Sequence, residues 1–258
     1  MSHRVLGVIP ARLASTRLPE KPLFPIHGRP LIEWVWRRVS TMRVLDELVV
    51  ATDSERVADV CAAFGANVIL TSSDHESGTD RVAEVAGRPE YLGFTHVANI
   101  QGDEPLLRDD HLRKAVALVT DFGWDVGTCA GPLRDAEAYL DPSVVKVAAN
   151  REGRALYFSR APIPHRRDHP ATDDDFASPP FLRHVGLYTY RRKALEAWVG
   201  METSPLERIE RLEQLRALEG GLSIGVAIVD RASPGIDTPD DVVRIERHLN
   251  HQGTTTFA

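Results

Sequence analysis

Three cations lie close together near the start of the chain. Arg12, Arg17 and Lys21 belong to the segment "VIPARLASTRLPEKPL" (8–23), which begins in an apolar run and contains prolines that limit its flexibility. An arginine can contact two phosphate oxygens at once, and a lysine adds a point charge. The segment therefore predicts a triphosphate site, with a solvated charged loop as the alternative. It has no Gly-Lys-Ser/Thr run, which disfavours ATPase chemistry of the Walker type.

Two carboxylates could face those cations. Asp103 follows an apolar run in "NIQGDEPLL" (99–107), and Asp237 lies between a predicted strand and a predicted helix in "PGIDTPDDV" (234–242). Mg²⁺ binds few carboxylates together with phosphate oxygens and water, so this pair could hold Mg²⁺ against a triphosphate. Asp237 could instead cap the helix. Glu104 is a weaker candidate ligand, because adjacent residues at a strand edge point in opposite directions.

Four further side chains could bind a polar, acidic ligand. Arg160, in "YFSRAPIP", offers a guanidinium for a carboxylate, or lies at the surface beside a loop. His184 and Tyr188 share one face of a predicted strand, where they could bond one ligand or form a half-buried pair. Glu213 falls on the apolar face of a predicted helix over 204–218, where a carboxylate needs a partner. That face comprises Leu206, Ile209, Leu212, Leu215 and Leu218.

The elements that must position these residues alternate along the first half of the chain. Apolar strands are predicted at 4–9, 47–52, 67–70 and 96–101, and helices at 30–39, 54–65, 78–86 and 109–122. This rhythm predicts an α/β fold with a mostly parallel central sheet and helices on both faces. Ligands of such sheets bind beyond the carboxyl ends of the strands, where the cationic loop and Asp103 would lie.

The second half of the chain is less regular and predicts an antiparallel extension of the sheet. Strands are predicted at 125–130, 144–149, 183–190 and 222–229, and helices at 204–218 and 238–250. The polar segment 165–180 is predicted to be a mobile loop. Because neither a repeat nor a linker interrupts the pattern, we expect a single domain over 1–258.

Composition excludes several classes of protein. The 258 residues carry a formal net charge of -6, which argues against a general nucleic-acid binder. No apolar run is long enough for a signal peptide or a membrane helix, so a cytoplasmic protein without membrane insertion is expected. The two cysteines, Cys61 and Cys129, lack metal-ligand spacing and suggest no disulfide framework.

Seven segments resemble, in order and spacing, the 3-deoxy-manno-octulosonate (Kdo) cytidylyltransferase family, over about residues 4 to 247. They are "VIPARLASTRLPEKPL", "TSSDHESGTDR", "NIQGDEP", "ALYFSRAPIP", "RHVGLYTY", "SPLERIERLEQLR" and "GIDTPDD". The resemblance implies a Rossmann-like nucleotidyltransferase fold and transfer of CMP from CTP to Kdo, an acidic sugar of lipopolysaccharide, with release of pyrophosphate. It further implies Mg²⁺ as cofactor and a homodimer.

The resemblance also implies residue roles. Binding of the nucleotide is implied for Arg12, Arg17, Lys21, Ser77 and Gly78, and metal ligation for Asp103 and Asp237. These two aspartates, with Arg17 and Lys21, would form the catalytic set. Sugar binding is implied for Arg81, Gln101, Arg160, His184, Tyr188, Glu213 and Gln214. Within the single domain, a nucleotide-binding half would cover about 1–123, and a sugar-binding and dimerisation portion about 124–230.

Three alternatives remain open at this point. CMP transfer to 8-amino-Kdo would use the same fold with a small change in the sugar pocket. CMP-sialic acid synthetases use a related acidic sugar, but their opening loop is usually rich in Gly and Lys, unlike "RLASTRLPEK". A non-catalytic CTP-binding homologue is the third alternative, and the intact set of Arg12, Arg17, Lys21, Asp103 and Asp237 argues against it.

Overall fold

The computed structural model describes residues 3–14, 18–176, 179–232 and 235–251. Arg17, one of the predicted phosphate ligands, lies outside the described residues. The chain divides into two compact units. Unit 1 comprises Met1–Asp109 together with Ser233–Ala258, and unit 2 comprises Asp110–Ala232.

Unit 1 contains most of the alternating elements predicted for the first half. In chain order they are β1 (Val5–Pro10), β2 (Pro25–Ile26), β3 (Arg29–Pro30), α1 (Leu31–Ser40), β4 (Glu47–Thr52), α2 (Glu55–Ala63), β5 (Asn67–Leu70), α3 (Gly78–Ala86) and β6 (His96–Asn99). Short 3₁₀ turns lie at Lys21–Leu23 and Pro89–Tyr91.

The chain then forms unit 2 and returns to unit 1 for its last helix. The elements of this part are α4 (Asp109–Thr120), β7 (Val126–Pro132), α5 (Ala136–Leu140), β8 (Lys146–Ala149), β9 (Ala155–Ser159), α6 (Asp173–Phe176), β10 (Leu182–Arg191), α7 (Arg192–Val199), α8 (Pro205–Glu210), α9 (Gln214–Glu219), β11 (Ile224–Ile228) and α10 (Pro239–His251).

The strands of unit 1 pair in the order β6-β1-β4-β5, and every pair is parallel. β1 is apolar apart from its glycine, and its first five residues are buried. A strand covered on both faces is expected to be apolar throughout. The mostly parallel sheet expected from the sequence is therefore confirmed here, and its carboxyl edge begins at Pro10.

The strands of unit 2 are mixed in direction. β11 pairs with β7 in parallel, β10 pairs antiparallel with β7 and β8, and β8 pairs antiparallel with β9. This confirms the expected antiparallel extension. Strand β9 and helices α5 and α7 were not among the predicted elements.

The predicted helix over 204–218 is wrong in one respect: it consists of two helices. Arg211, at the end of α8, has a left-handed backbone with φ 54. The turn there rotates the following residues away from the helical face inferred from the sequence. Ile209 is 79% exposed, whereas Gln214, which lies outside the predicted apolar face, is buried.

The described part of the polar segment, residues 165–176 and 179–180, is also more ordered than predicted. It includes α6, whose last residue, Phe176, is fully buried. The Phe176 ring packs against Tyr139 and Phe181, with ring centroids 5.4 Å away in each case. This aromatic contact anchors a segment whose composition alone indicates a loop. Within the described ranges, no helix is both long enough and apolar enough to cross a bilayer.

Candidate functional site

Two loops of unit 1 meet beside Pro10, at the carboxyl end of β1. A Cβ atom at Gly102 would lie 2.8 Å from the Pro10 carbonyl oxygen, so only glycine fits without movement of the backbone. A Cβ atom at Gly78 would lie 3.5 Å from Pro10 Cγ, which is an ordinary contact. The loop after β6 and the start of α3 are thus held at the edge where α/β sheets bind ligands.

The loop after β6 also binds the segment that precedes α10. The Ile236 N–H donates to the Asp103 carbonyl at 2.9 Å. This backbone hydrogen bond places the next residue, Asp237, close to Asp103. The two carboxylates, more than a hundred residues apart in the chain, are thereby brought to one place, as the sequence predicted.

Lys21 lies between these carboxylates. Its ammonium Nζ donates to Asp237 Oδ1 at 2.8 Å and also to Asp103 Oδ2. Only 15% of the Lys21 side chain is exposed. Burial alone would lower the pKa of Lys21, but the charges and hydrogen bonds of the two aspartates outweigh burial and raise it above its ordinary value. Lys21 is therefore a fixed positive charge at neutral pH.

The arrangement fits a divalent cation. Two carboxylates that both reach one ammonium group can also reach one metal ion, and Mg²⁺ needs few protein ligands when phosphate and water supply the rest. Among the residues that the structure describes, no group of three or more His, Cys, Asp or Glu side chains is placed to hold a metal. The site therefore suits a metal that arrives with a phosphate ligand.

The other predicted residues of unit 1 surround this edge. Ser77 caps α3: its Oγ accepts from the Asp80 N–H at 3.1 Å. Gln101 is partly exposed and follows β6 closely. Arg12, two residues beyond β1, is exposed, and its side chain forms no hydrogen bond or ion pair with the residues that the structure describes.

Arg81, one of the predicted sugar residues, has protein groups as its partners. Only 2% of it is exposed. Its guanidinium donates to Asp53 Oδ2 at 3.1 Å and to Thr71 Oγ1. Asp53 follows β4 directly, at the same carboxyl edge of the strands where Asp103 lies four residues beyond β6. That position was the available signal for Asp53, which the sequence analysis missed.

His184, in β10 of unit 2, is held in one tautomer by Thr128. The Thr128 hydroxyl donates to the Leu187 carbonyl at 2.7 Å, so its oxygen accepts from His184 Nε2 at 3.0 Å. The ring packs against Phe158. Burial lowers the pKa of His184 to about 3. A neutral imidazole with a protonated Nε2 leaves Nδ1 as the hydrogen-bond acceptor.

His184 and Tyr188 lie together as their even spacing predicted, with ring centroids 5.2 Å apart. Tyr188 is buried, and its pKa is raised well above the ordinary value, first by burial and then by Tyr190 and Glu213. Gln214, the first residue of α9, directly follows Glu213 in the chain and is buried.

Arg160, just beyond β9, bonds backbone carbonyls. Its Nε donates to the Glu210 carbonyl at 2.7 Å, Nη1 donates to the Pro142 carbonyl at 2.9 Å, and Nη2 donates to the Arg211 carbonyl at 3.3 Å. The sequence predicts that Arg160 binds a carboxylate or lies at the surface beside a loop, and neither prediction includes these contacts with backbone carbonyls.

Two charged residues of unit 2 were missed, one of them fully buried and the other partly buried. Lys146 is fully buried in β8, and its ammonium donates to the carbonyls of Asp141, Val144 and Arg160. Glu210 bonds the end of β9. Neither could be found from periodicity, because each is explained by partners that the local pattern does not contain.

A parallel α/β unit with a cationic loop and paired carboxylates at its carboxyl edge is typical of enzymes that act on nucleotides. A family model described as cytidylyltransferase matches residues 6–224. The chain belongs to the cytidylyltransferase family.

Individual relatives are similar over nearly their full length. The 3-deoxy-manno-octulosonate cytidylyltransferase of Syntrophotalea carbinolica is 49% identical over 249 residues, covering 95% of this chain and 98% of the relative. The enzyme of the same name from Gemmatimonas aurantiaca is 50% identical, covering 95% and 93%. A solved structure of CMP:2-keto-3-deoxy-manno-octonic acid synthetase complexed with CTP matches with a TM-score of 0.87 and 37% identity, covering 96% of this chain and 99% of that one.

Proposed function

We propose that this chain transfers CMP from CTP to the anomeric hydroxyl of Kdo, forming CMP-Kdo and pyrophosphate for lipopolysaccharide synthesis. The observation that carries the proposal is the contact of Lys21 with both Asp103 and Asp237 at the carboxyl edge of the parallel sheet. The relatives' names and the CTP-bound solved structure support the choice of CTP and Kdo.

The nucleotide is assigned to unit 1. Arg12 and Arg17 would bind oxygens of the triphosphate, and Lys21 would add its fixed positive charge. Ser77 and Gly78, at the start of α3, would hold the nucleotide where helix N–H groups are available. The exposed Arg12 side chain, which bonds none of the described residues, supports its assignment to an incoming anion.

Asp103 and Asp237 would hold Mg²⁺. The bound ion would neutralise phosphate charge and favour the deprotonated sugar hydroxyl. Lys21, which contacts both carboxylates, would then be available to the triphosphate as an additional cation. The paired carboxylates and the position of Lys21 between them support this assignment.

Sugar binding is assigned to His184, Tyr188, Glu213, Gln214 and Arg160, and the family resemblance adds Gln101 and Arg81. Nδ1 of the neutral His184 can accept a hydrogen bond from a sugar hydroxyl. The Tyr188 phenol keeps its proton, because its pKa is raised, and can donate it in a hydrogen bond. Arg160 would bind the sugar carboxylate.

The reaction is an in-line displacement at phosphorus. The anomeric oxygen forms a bond to the α-phosphorus of CTP as it loses its proton to solvent, and the bond from that phosphorus to the oxygen shared with the β-phosphate breaks. Pyrophosphate leaves with the bonding electrons. The side chains named here hold the reactants and neutralise charge, which accounts for much of catalysis in phosphoryl-type transfers.

Pyrophosphate release from purified protein tests this function. The assay would contain CTP, Mg²⁺ and, separately, Kdo, 8-amino-Kdo or sialic acid. We expect release with Kdo and its suppression by EDTA. Preference for 8-amino-Kdo would change the substrate and keep the mechanism, whereas CTP binding without turnover of any sugar would overturn the proposed activity.

A homodimer in the cytoplasm completes the proposal. Several large apolar side chains of unit 2 are exposed in the single chain and could be covered by a second copy. They are Phe122, Leu140, Leu156 and Ile209. The biosynthetic reaction proposed for the chain uses CTP, which supports the cytoplasmic assignment.

A further inference from the structure

Glu210 contacts the end of β9 from the last position of α8. Its Oε1 accepts from Ser159 Oγ at 2.6 Å, and its Oε2 accepts from the Arg160 backbone N–H at 2.9 Å. Burial raises the pKa of the Tyr157 phenol, and the Glu210 carboxylate raises it further. A carboxylate is disfavoured at the carbonyl end of a helix. The donors from β9 compensate for that position.

Arg160 bonds α8 in the opposite direction. Its guanidinium donates to the carbonyls of Glu210 and Arg211, which lie where a helix has no internal partners for its last carbonyl groups. Glu210 thus fixes the backbone of Arg160, while the Arg160 side chain caps the helix that carries Glu210. The contact is reciprocal, and the two residues are fifty positions apart in the chain.

These contacts orient the Arg160 guanidinium without using all of its donors. An arginine has five N–H groups, and the bonds to Glu210, Arg211 and Pro142 use one on each nitrogen. One N–H on each terminal nitrogen has no partner among the residues that the structure describes. A carboxylate accepts two such N–H groups side by side, so the oriented guanidinium retains the donors that an acidic sugar needs.

The same contacts lie next to the turn that precedes α9. Arg211 has its left-handed backbone directly after Glu210, and Glu213 and Gln214 follow within three residues. Glu213 is the residue whose charge acts on Tyr188. A change at Glu210 would therefore reach the proposed sugar residues through both Arg160 and the start of α9.

We propose that Glu210 is a positioning residue for the acidic sugar substrate: it holds Arg160 and the turn between α8 and α9 in the arrangement that binds the sugar. This proposal rests on the proposed function, which assigns Arg160, Glu213 and Gln214 to the sugar. Glu210 itself bonds only protein groups and touches no reacting atom.

Steady-state kinetics of Glu210→Ala and Glu210→Gln test the proposal. Loss of two partly buried hydrogen bonds to one carboxylate predicts a rise of about tenfold or more in the KM for Kdo in the alanine variant, with the KM for CTP within about twofold of wild type. Glutamine keeps one acceptor and should restore part of the loss. Glu219→Gln, at the exposed last position of α9, is the matched control and should behave as wild type.

Amide hydrogen exchange separates this proposal from the proposed function. We expect faster exchange at 159–161 and 210–214 in Glu210→Ala, with 99–103 unchanged. If the KM for Kdo is unchanged in Arg160→Ala, the assignment of Arg160 to the sugar is overturned. Unaltered exchange in both Glu210 variants, or equal rises in the KM for Kdo and CTP, would overturn the positioning role even if Arg160→Ala impairs sugar use.

Discussion

At the scale of single residues, Lys21 decides the electrostatics of the proposed metal site. Its ammonium holds two carboxylates that would otherwise repel each other at short range. An internal cation of this kind competes with a metal for the same oxygens. The competition predicts that Mg²⁺ binds weakly until CTP supplies phosphate oxygens for the metal and a second partner for Lys21.

Replacing Lys21 by Met should therefore strengthen metal binding in the absence of nucleotide. We expect the Kd for Mn²⁺, used as a probe for Mg²⁺, to fall by about tenfold, because an uncompensated pair of carboxylates attracts a cation more strongly. Isothermal titration measures this directly. Lys114→Met is the matched control, because Lys114 forms an exposed ion pair with Asp110. Weaker or unchanged Mn²⁺ binding in Lys21→Met would contradict the shared site.

Asp103→Asn should nearly abolish turnover while the protein stays folded. The substitution keeps the shape of the side chain and removes one of the two carboxylate charges proposed to hold the metal. A loss of about a hundredfold or more in kcat is expected, because metal stabilisation of phosphate charge contributes several kcal/mol. Pyrophosphate release measures kcat, and circular dichroism checks the fold. A rate like that of wild type would remove Asp103 from the metal site.

At the scale of elements, α8 is stabilised by a cap at its start and by an ion pair with α9. Ser204 and Glu207 form a capping box at its start, and Glu207 Oε1 also accepts from Arg216 Nη2 of α9 at 2.8 Å. Both members of this ion pair are nearly inaccessible, with 9% and 12% of their side chains exposed. The pair connects two short helices that would be marginal alone.

Glu207→Gln should lower the free energy of unfolding by about 1 to 3 kcal/mol, because it leaves Arg216 without a charged partner in a buried position. Urea denaturation followed by circular dichroism measures this free energy. The exposed Glu202 provides the control: Glu202→Gln should change stability by less than about 0.5 kcal/mol. Equal effects of the two substitutions would show that the ion pair contributes nothing beyond surface charge.

At the scale of the whole molecule, His184 makes stability depend on pH. Its folded pKa of about 3 lies below the ordinary value of 6.5, so the unfolded chain binds a proton between these values and the folded protein does not. Stability should therefore fall as the pH is lowered through this window. The contribution of His184 is about 2 kcal/mol lost between pH 7 and pH 5.

Urea denaturation at pH 7 and pH 5 tests this dependence. His184→Asn cannot titrate in the window and should lose less stability on acidification than wild type does. His165→Asn, at an exposed position of the same unit, should retain the wild-type dependence. If all three proteins respond to pH alike, His184 is not kept neutral by burial.

The proposed homodimer can also be tested at this scale. Ile209 is the most exposed of the large apolar side chains that the structure describes, and burial of such a side chain favours association. Ile209→Glu should shift sedimentation velocity profiles from dimer toward monomer at micromolar concentration. Leu92→Glu, at a 60% exposed position in unit 1, is the control and should leave association unchanged. A monomeric wild-type protein would contradict the dimer.

Much of the fold follows from local patterns in the sequence. The strand Glu47–Thr52 and the helix Gly78–Ala86 have the predicted bounds, because a short apolar run and a capped amphipathic run each specify their structure locally. The prediction that Asp103 lies at a strand's carboxyl end was also confirmed, since β6 ends at Asn99. The residue roles drawn from the family resemblance stay predictions.

The tertiary structure decided what depends on residues far apart in the chain. Lys21 and Asp237 are 216 positions apart, and no periodicity could show that they share a hydrogen bond. The break between α8 and α9 has the same origin: the helical pattern continues through Arg211, but the carbonyls there are bonded by Arg160. Local spacing determines which residues can form a helix or strand, whereas long-range hydrogen bonds and packing determine where it ends and which side chains meet.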